Sequence, residues 1–143
     1  MIGSTNLSHL LASMSPELRD ETFVFITIKP DAPLPNIEPV MQFNEAEGVT
    51  LIAPMDGAKK ANLAYEFPCR MITLNIHSSL EAVGFLAVIT THLAKLNIGV
   101  NPVSGFYHDH LLIPEDRAAD VMAALAQLSQ KYRDDINAEG KNR

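Results

Sequence analysis

The segment from Ser104 to Pro114, SGFYHDHLLIP, concentrates side chains that could do chemistry, because two histidines flank an aspartate. In an extended strand His108 and His110 would point to the same face and could offer two nitrogens to a metal ion. A zinc site needs at least three protein ligands, and the remaining candidates show no supporting spacing. These candidates are Cys69, His77 and His92. The sequence therefore predicts no bound metal and no cofactor.

The alternative for this segment is the corner of a β-hairpin. In that arrangement Asp109 would hydrogen-bond the backbone of the turn, as aspartate commonly does. Phe106, Tyr107 and the apolar run 111–113 would pack the hairpin. We expect this structural role rather than a metal site.

A second candidate site is the segment NIHSSLEAVG, residues 75–84, which joins a predicted strand to a predicted helix. Free N–H groups and the positive end of the helix dipole favour a carboxylate or another anion at such a junction. Ser78 and Ser79 add hydroxyl donors, Gly84 permits close approach of a ligand or backbone, and His77 could titrate near neutral pH. The structural alternative is that Ser78 or Ser79 caps the helix, which we expect in either case.

Catalytic patterns are weak elsewhere in the chain. Glu45 and Glu47 could form an acid and base pair, but no nucleophile or electrophile accompanies them in the sequence, so a solvated hairpin edge is the better interpretation. Neither a phosphate-binding glycine loop nor a nucleophile elbow is present. We therefore predict that the protein is not an enzyme.

Composition and charge narrow the class of partner. Across 143 residues, 47% are hydrophobic, and 11 basic against 17 acidic residues give a net charge of -6. A negative chain repels nucleic acid and anionic lipid surfaces, and no apolar run is long enough to span a bilayer. The N-terminal sequence lacks the pattern of a secretory signal, and Cys69 is the single cysteine, which fits a reducing compartment. We expect a cytoplasmic protein that binds neither nucleic acid nor membrane.

The first half of the chain predicts strands with short, irregular helices. Apolar spacing indicates a helix over residues 7–14, and β-branched and aromatic residues indicate a strand over 22–29. The piece 40–45 is ambiguous between a strand and a helical turn, whereas 49–54 is a clear strand. A short helix over 56–62 follows, opened by an aspartate.

The second half is more regular. Residues 71–77 predict a strand, and a long helix follows. Two strands then flank the turn at 107–109, and a helix spans residues 115–132. The apolar stripe of the long helix is Ala82, Leu86, Ile89, Leu93 and Leu96, widened by Val83 and Ala87.

The order strand, helix, strand, strand, helix is most of a ferredoxin-like βαββαβ unit, in which helices cover one face of an antiparallel sheet. The first half repeats the strands with a less regular helix. We therefore predict the α+β class with two unequal tandem modules, residues 1–66 and 67–133. A polar, frayed tail is expected over residues 134–143.

The run VGFLAVITTHLAKLNIGV, residues 83–100, resembles the signature of the ACT domain, a small regulatory ligand-binding module. The residues that match the signature positions are Gly84, Leu86, Ile89, Leu93, Asn97 and Ile98. Together with EAEGVTLIAP, ITLNIHSSLEAVGFLAVIT and YHDHLLIP, this run is similar to small bacterial proteins with two ACT-like modules, akin to the paired modules of aspartate kinases. The resemblance covers roughly residues 3–129.

This resemblance implies a non-catalytic regulator that binds an amino acid between modules or across a homodimer interface. The ligand residues it implies are His77, Ser78, Ser79, Gly84, Asn97, Ile98 and Asn101. Amides both donate and accept hydrogen bonds, which suits an amino acid at Asn97 and Asn101. The structural alternatives are a left-handed helix end at Asn97 and a surface position for Asn101.

One departure from the ACT pattern concerns the loop before the first helix. ACT modules usually carry an aspartate there, whereas His77, Ser78 and Ser79 occupy that region here. The ligand chemistry could therefore differ from that of the family. The rival function is a protein interaction or oligomerisation module with a vestigial pocket, which would associate through edge strands and helix faces.

Overall fold

The computed structural model describes residues 6–141, with the side chains of residues 6–140. The described chain forms two compact units, one of residues 6–19 and 71–141 and the other of Asp20–Arg70. This division differs from the predicted modules 1–66 and 67–133, because residues 6–19 pack with the second half of the chain. The modules, which are defined by element order, stay a prediction.

The larger unit contains four helical segments and a β-hairpin. Its helices are α1 (Leu7–Ser13), α3 (Phe85–Lys95) and α4 (Ala118–Lys141), with a 3-10 turn at Glu115–Arg117. Its hairpin strands are β5 (Asn101–Ser104) and β6 (Asp109–Pro114), which pair antiparallel with Ser104 opposite Asp109. Beside the hairpin lies the end of β4 (Glu66–Leu74), in the order β4-β6-β5.

One apolar core holds the larger unit together, because each element turns one face inward. Burying such side chains contributes roughly 1.5 to 3 kcal/mol each. The core side chains with no measurable solvent exposure include Leu10, Leu11, Ile72, Leu74, Ile89, Leu93, Leu111, Ile113, Val121 and Leu125.

The smaller unit is built on antiparallel strands in the order β2-β3-β1, which are β2 (Met41–Glu45), β3 (Gly48–Pro54) and β1 (Pro16–Ile28). The segment left ambiguous at 40–45 is thus a strand, because it pairs with β3 across a tight turn. The short helix α2 (Met55–Lys60) follows β3. The separate core of this unit is Val24, Ile26, Ile28, Leu51, Ala53 and Ala58.

Two sequence expectations about helices need correction. Helix α3 begins at Phe85 rather than near Ala82, and Val83 is 84% exposed instead of facing the core. The expected frayed tail is helical through Lys141. Just before this tail, Arg133 donates to Ala12 O at 3.0 Å, and Gln130 donates to Asp134 at 2.8 Å.

Candidate functional site

The N-terminus of α3 has no side-chain cap among the described residues. Gly84 is the N-cap residue, with φ 94° in the left-handed region, and the first intrahelical bond runs from Val88 N to Gly84 O. The expectation that Ser78 or Ser79 caps this helix is therefore wrong, because the helix starts too far along the chain. Ser79 Oγ instead accepts from Glu81 N at 3.1 Å.

A cavity of about 210 Å³ opens at this uncapped end. The first-turn residues Phe85, Leu86 and Ala87 line it together with Gly84, and N–H groups in the first turn of a helix have no intrahelical acceptor. The positive end of the helix dipole therefore lies at the cavity. The other lining residues are Ser78, Ser79, Leu80, Ala82, Ser104 and Asp109.

Asp109 supplies the charge of this site. Its side chain is 7% exposed, Ser104 Oγ donates to Oδ1 at 2.6 Å, and Ser78 Oγ donates to Oδ2 at 3.3 Å. An ionised carboxylate accepts about four hydrogen bonds, so two serine donors leave acceptor capacity on both oxygens. The cavity thus carries a buried acceptor beside the positive end of a helix.

Sequence reasoning assigned Asp109 to the turn backbone and missed its place in the cavity. The turn is closed instead by Gly105 N donating to His108 O at 2.8 Å. Side chains alternate along β6, so Asp109 shares the inward face of Leu111 and Ile113. That alternation was the available signal, since an aspartate in register with two core residues must be buried.

The structure brings three of the proposed ligand residues together and separates the others. Ser78, Ser79 and Gly84 line the cavity, and the His77 ring lies beside it against Tyr107, with ring centroids 5.6 Å apart. The remaining three do not line this cavity, because the 11 residues of α3 separate its two ends by roughly 16 Å. These three are Asn97, Ile98 and Asn101.

Asn97, Ile98 and Asn101 have local environments of their own. Asn97 has φ 58° and donates its N–H to Ala94 O, which is the left-handed helix end weighed from the sequence. Ile98 is 5% exposed in the larger core, and Asn101 is exposed on β5 opposite Leu112. A ligand role for these residues stays a prediction.

His110 lies on the opposite face of β6 from Asp109, and His108 precedes the strand. His110 Nδ1 and Thr73 Oγ1 are 3.0 Å apart. Burial lowers the pKa of His110 from its ordinary value of 6.5, helped by His108 and Arg19 and opposed by Asp109. Within residues 6–140 no three His, Cys, Asp or Glu side chains come together as metal ligands.

Four large apolar side chains are exposed near the cavity. Leu80 (68% exposed) and Val83 (84%) belong to the loop before α3, and Phe106 (63%) and Tyr107 (58%) belong to the turn of the β5-β6 hairpin. The Phe106 and Tyr107 rings pack edge to face, with centroids 5.0 Å apart. We call these four residues the apolar rim.

Comparison with known proteins places both halves of the chain in one family. Two ACT-domain family models match, one over residues 2–70 and the other over 66–127. The chain is a two-module ACT-domain protein. Family membership makes it a protein of regulatory type, and the matched ranges overlap within β4.

Several solved structures have a similar fold. A Vibrio cholerae protein of unknown function, described as a possible transport protein, is 37% identical with a TM-score of 0.77, over 87% of this chain and 97% of that one. An Agrobacterium tumefaciens protein is 14% identical with a TM-score of 0.70, over 81% and 89% of the two chains.

The aspartate kinase regulatory subunit of Thermus thermophilus is 13% identical with a TM-score of 0.61, over 81% of this chain and 96% of that one. At this identity the likeness concerns the fold. No protein with a curated function matches significantly. In the described part of the chain, no helix is long and apolar enough to cross a membrane.

Proposed function

We propose that this ACT-domain protein is a non-catalytic sensor that binds a small amino acid in the cavity at the N-terminus of α3. The observation that carries the proposal is that uncapped helix N–H groups and the buried Asp109 carboxylate line the same cavity. An α-amino acid carries a carboxylate and an ammonium group a short distance apart. The N–H groups of Phe85 and Leu86 suit the carboxylate, and Asp109 suits the ammonium.

Asp109 makes the cavity prefer a zwitterion over a simple carboxylate, which a helix N-terminus alone would not do. A ligand carboxylate without an ammonium group would be repelled by Asp109, whereas a zwitterion places opposite charges against both partners. The hydroxyl of Ser79 adds a donor or acceptor at the opening. This carboxylate reaches the cavity from β6 and not from the loop where ACT modules usually carry it.

The dimensions of the cavity favour a small ligand. A volume of about 210 Å³ is below the roughly 300 to 1,000 Å³ of pockets that hold drug-sized molecules. The side chains of Leu80, Ala82 and Leu86 make part of the wall apolar. Amino acids with short or branched aliphatic side chains therefore suit the cavity better than aromatic ones.

A binding role suits the cavity better than catalysis. Among the described residues that line it, Asp109 is the single titratable side chain, with neither a paired base nor an activated nucleophile beside it. Regulation would follow if the ligand favoured one conformation of the protein over another, since a ligand shifts an equilibrium only through different affinities for its states. The buried Cys69 thiol, which donates to Phe23 O at 3.3 Å and forms no disulfide, agrees with a reducing cytoplasm.

The test is calorimetric titration and thermal unfolding across the natural amino acids, with the wild type, Asp109→Asn and Asp116→Asn. Asp116→Asn makes the same chemical change at an exposed position outside the cavity. A ligand at a hundredfold excess over its Kd stabilises the native state by about 2.7 kcal/mol. We expect that stabilisation in the wild type and the control, and its loss in Asp109→Asn.

The matching amine and carboxylic acid, each lacking one charged group of the best ligand, test the two halves of the site. Both should bind more weakly than the amino acid by at least about tenfold. Flat titrations with every amino acid, or full binding by a folded Asp109→Asn variant, would contradict the proposal.

The second candidate function is self-association through the apolar rim, with a vestigial cavity. The observation in its favour is that four large apolar side chains are exposed on two neighbouring loops of one unit. Exposed apolar clusters of this kind mark interaction surfaces. A homodimer formed there would also be compatible with ligand binding, so loss of binding without loss of assembly separates the two functions.

A further inference from the structure

A second cavity, of about 370 Å³, lies between α3 and α4 of the larger unit. It is separate from the cavity at Asp109, and Ala87 is the one residue that lines both cavities. Its floor is apolar, made by Val88 and the buried Leu128. The polar residues around that floor are Thr91, His92, Lys95, Lys131 and Tyr132.

The charge at this cavity is opposite in sign to that of the chain. Lys95 comes from α3 and Lys131 from α4, and no described lining residue is acidic, although the whole chain carries a net charge of -6. Neither lysine forms an ion pair with a described residue. Lys95 and Lys131 thus bring two positive side chains from different helices to one cavity whose described lining has no acidic residue.

His92 adds a polar atom that lacks a partner. Its Nε2 atom is shut off from solvent and, among the described residues, has no hydrogen-bond partner. A buried polar atom left unpaired destabilises the folded state, so such atoms are uncommon in folded proteins. Once the ring turns towards the cavity, a ligand oxygen would satisfy the N–H of the tautomer that carries its proton on Nε2.

An ordinary structural role explains only part of this arrangement. His92 and Lys95 lie in the last turn of α3, where basic side chains complement the negative end of the helix dipole. That role accounts neither for Lys131, which belongs to the middle of α4, nor for the unpaired Nε2 atom.

We propose that this cavity binds the phosphate group of a small phosphate monoester. A doubly charged oxyanion would lie between Lys95 and Lys131, since lysine binds phosphate as a compact point charge. The hydroxyls of Thr91 and Tyr132 supply further donors, and Nε2 of His92 adds one when its ring turns towards the ligand. The apolar floor accommodates the carbon skeleton. A volume of about 370 Å³ is within the range of small-molecule sites.

The experiment uses glycerol phosphate and glycerate as paired probes at constant ionic strength, with the His92 imidazole proton resonances as the readout. A His92→Gln variant assigns those resonances. Glycerol phosphate should shift them saturably, and binding should weaken by about tenfold in the double variant Lys95→Gln and Lys131→Gln. Because both lysines are exposed, the double variant should keep the wild-type circular dichroism and Tm.

The matched control is the double variant Lys29→Gln and Lys59→Gln, which changes the net charge equally at exposed positions in the smaller unit. Unchanged binding in this control supports a local site. The proposal is overturned if glycerol phosphate causes no saturable shift, if the control loses as much affinity, or if glycerate binds as tightly. None of these outcomes bears on the cavity at Asp109.

Discussion

Asp109 shows how a single residue changes the interpretation of a whole segment. Between two histidines it first suggests a metal site, and as a turn residue it would be exposed. In the structure it is buried and accepts hydrogen bonds from Ser78 and Ser104, while His110 lies on the other face of β6. In the segment SGFYHDHLLIP, the aspartate therefore lines the cavity and the two histidines do not.

His110 is a second single residue with a testable effect, which is on the pH dependence of folding stability. Its pKa is lowered in the folded state, chiefly by burial, so the unfolded state binds more protons as the pH falls below about 6.5. Folding stability should therefore decrease as the pH drops from 6.5 through the lowered pKa, and should level off above 6.5.

Urea unfolding at pH values between 5 and 7.5 measures the contribution of His110 to folding stability. The proteins compared are the wild type, His110→Gln and the exposed control His9→Gln. The drop in stability towards low pH should be smaller in His110→Gln and unchanged in His9→Gln. Equal pH dependence in all three proteins would rule out His110 as its source.

At the scale of elements, α3 is the helix whose position decides the site. The sequence pattern correctly predicted that Ile89 and Leu93 face the core, but it missed the buried Phe85, and Leu86 packs against the core only partly buried. Since the helix begins only after Gly84, the preceding loop lines the cavity instead of extending the helix. Ser78 and Ser79 in that loop therefore do not cap α3.

Gly84→Ala tests whether this helix start depends on glycine. A residue with a Cβ is strained at φ 94°, and the added carbon would lie 3.3 Å from Leu7 Cδ2. We expect a loss of about 1 to 3 kcal/mol in the free energy of unfolding, measured with urea.

The control is Gly57→Ala, within α2, where an added Cβ meets nothing within 4 Å. That substitution should stabilise the protein by roughly 0.5 to 1 kcal/mol. A Gly84→Ala protein as stable as the wild type would mean that α3 can begin elsewhere.

At the scale of the whole molecule, residues 6–140 form two separate apolar cores, and the chain has a net negative charge. The ACT-domain family accounts for the repeated strands and helices of the two halves. What family membership leaves open is whether the protein works alone or as a homodimer. The apolar rim is the feature that can be tested.

We expect the wild type to dimerise through the rim and the double variant Val83→Lys and Phe106→Lys to be monomeric, because charges would replace two of its most exposed apolar side chains. Light scattering coupled to size exclusion measures the mass directly. Leu34→Lys is the control, since Leu34 is 51% exposed in the smaller unit. A monomeric wild type, or equal dissociation in the control, would contradict this expectation.

The sequence by itself determined the α+β class, the order of most elements and the ACT signature. These follow from local periodicity and turn chemistry, which depend on residues close together in the chain. The sequence-based predictions for Ser78, Asp109 and the start of α3 were wrong for one reason, which is that these features depend on tertiary packing. Ser78 and Asp109 are 31 residues apart, and only tertiary packing decides that a serine donates to that carboxylate instead of to the nearest helix.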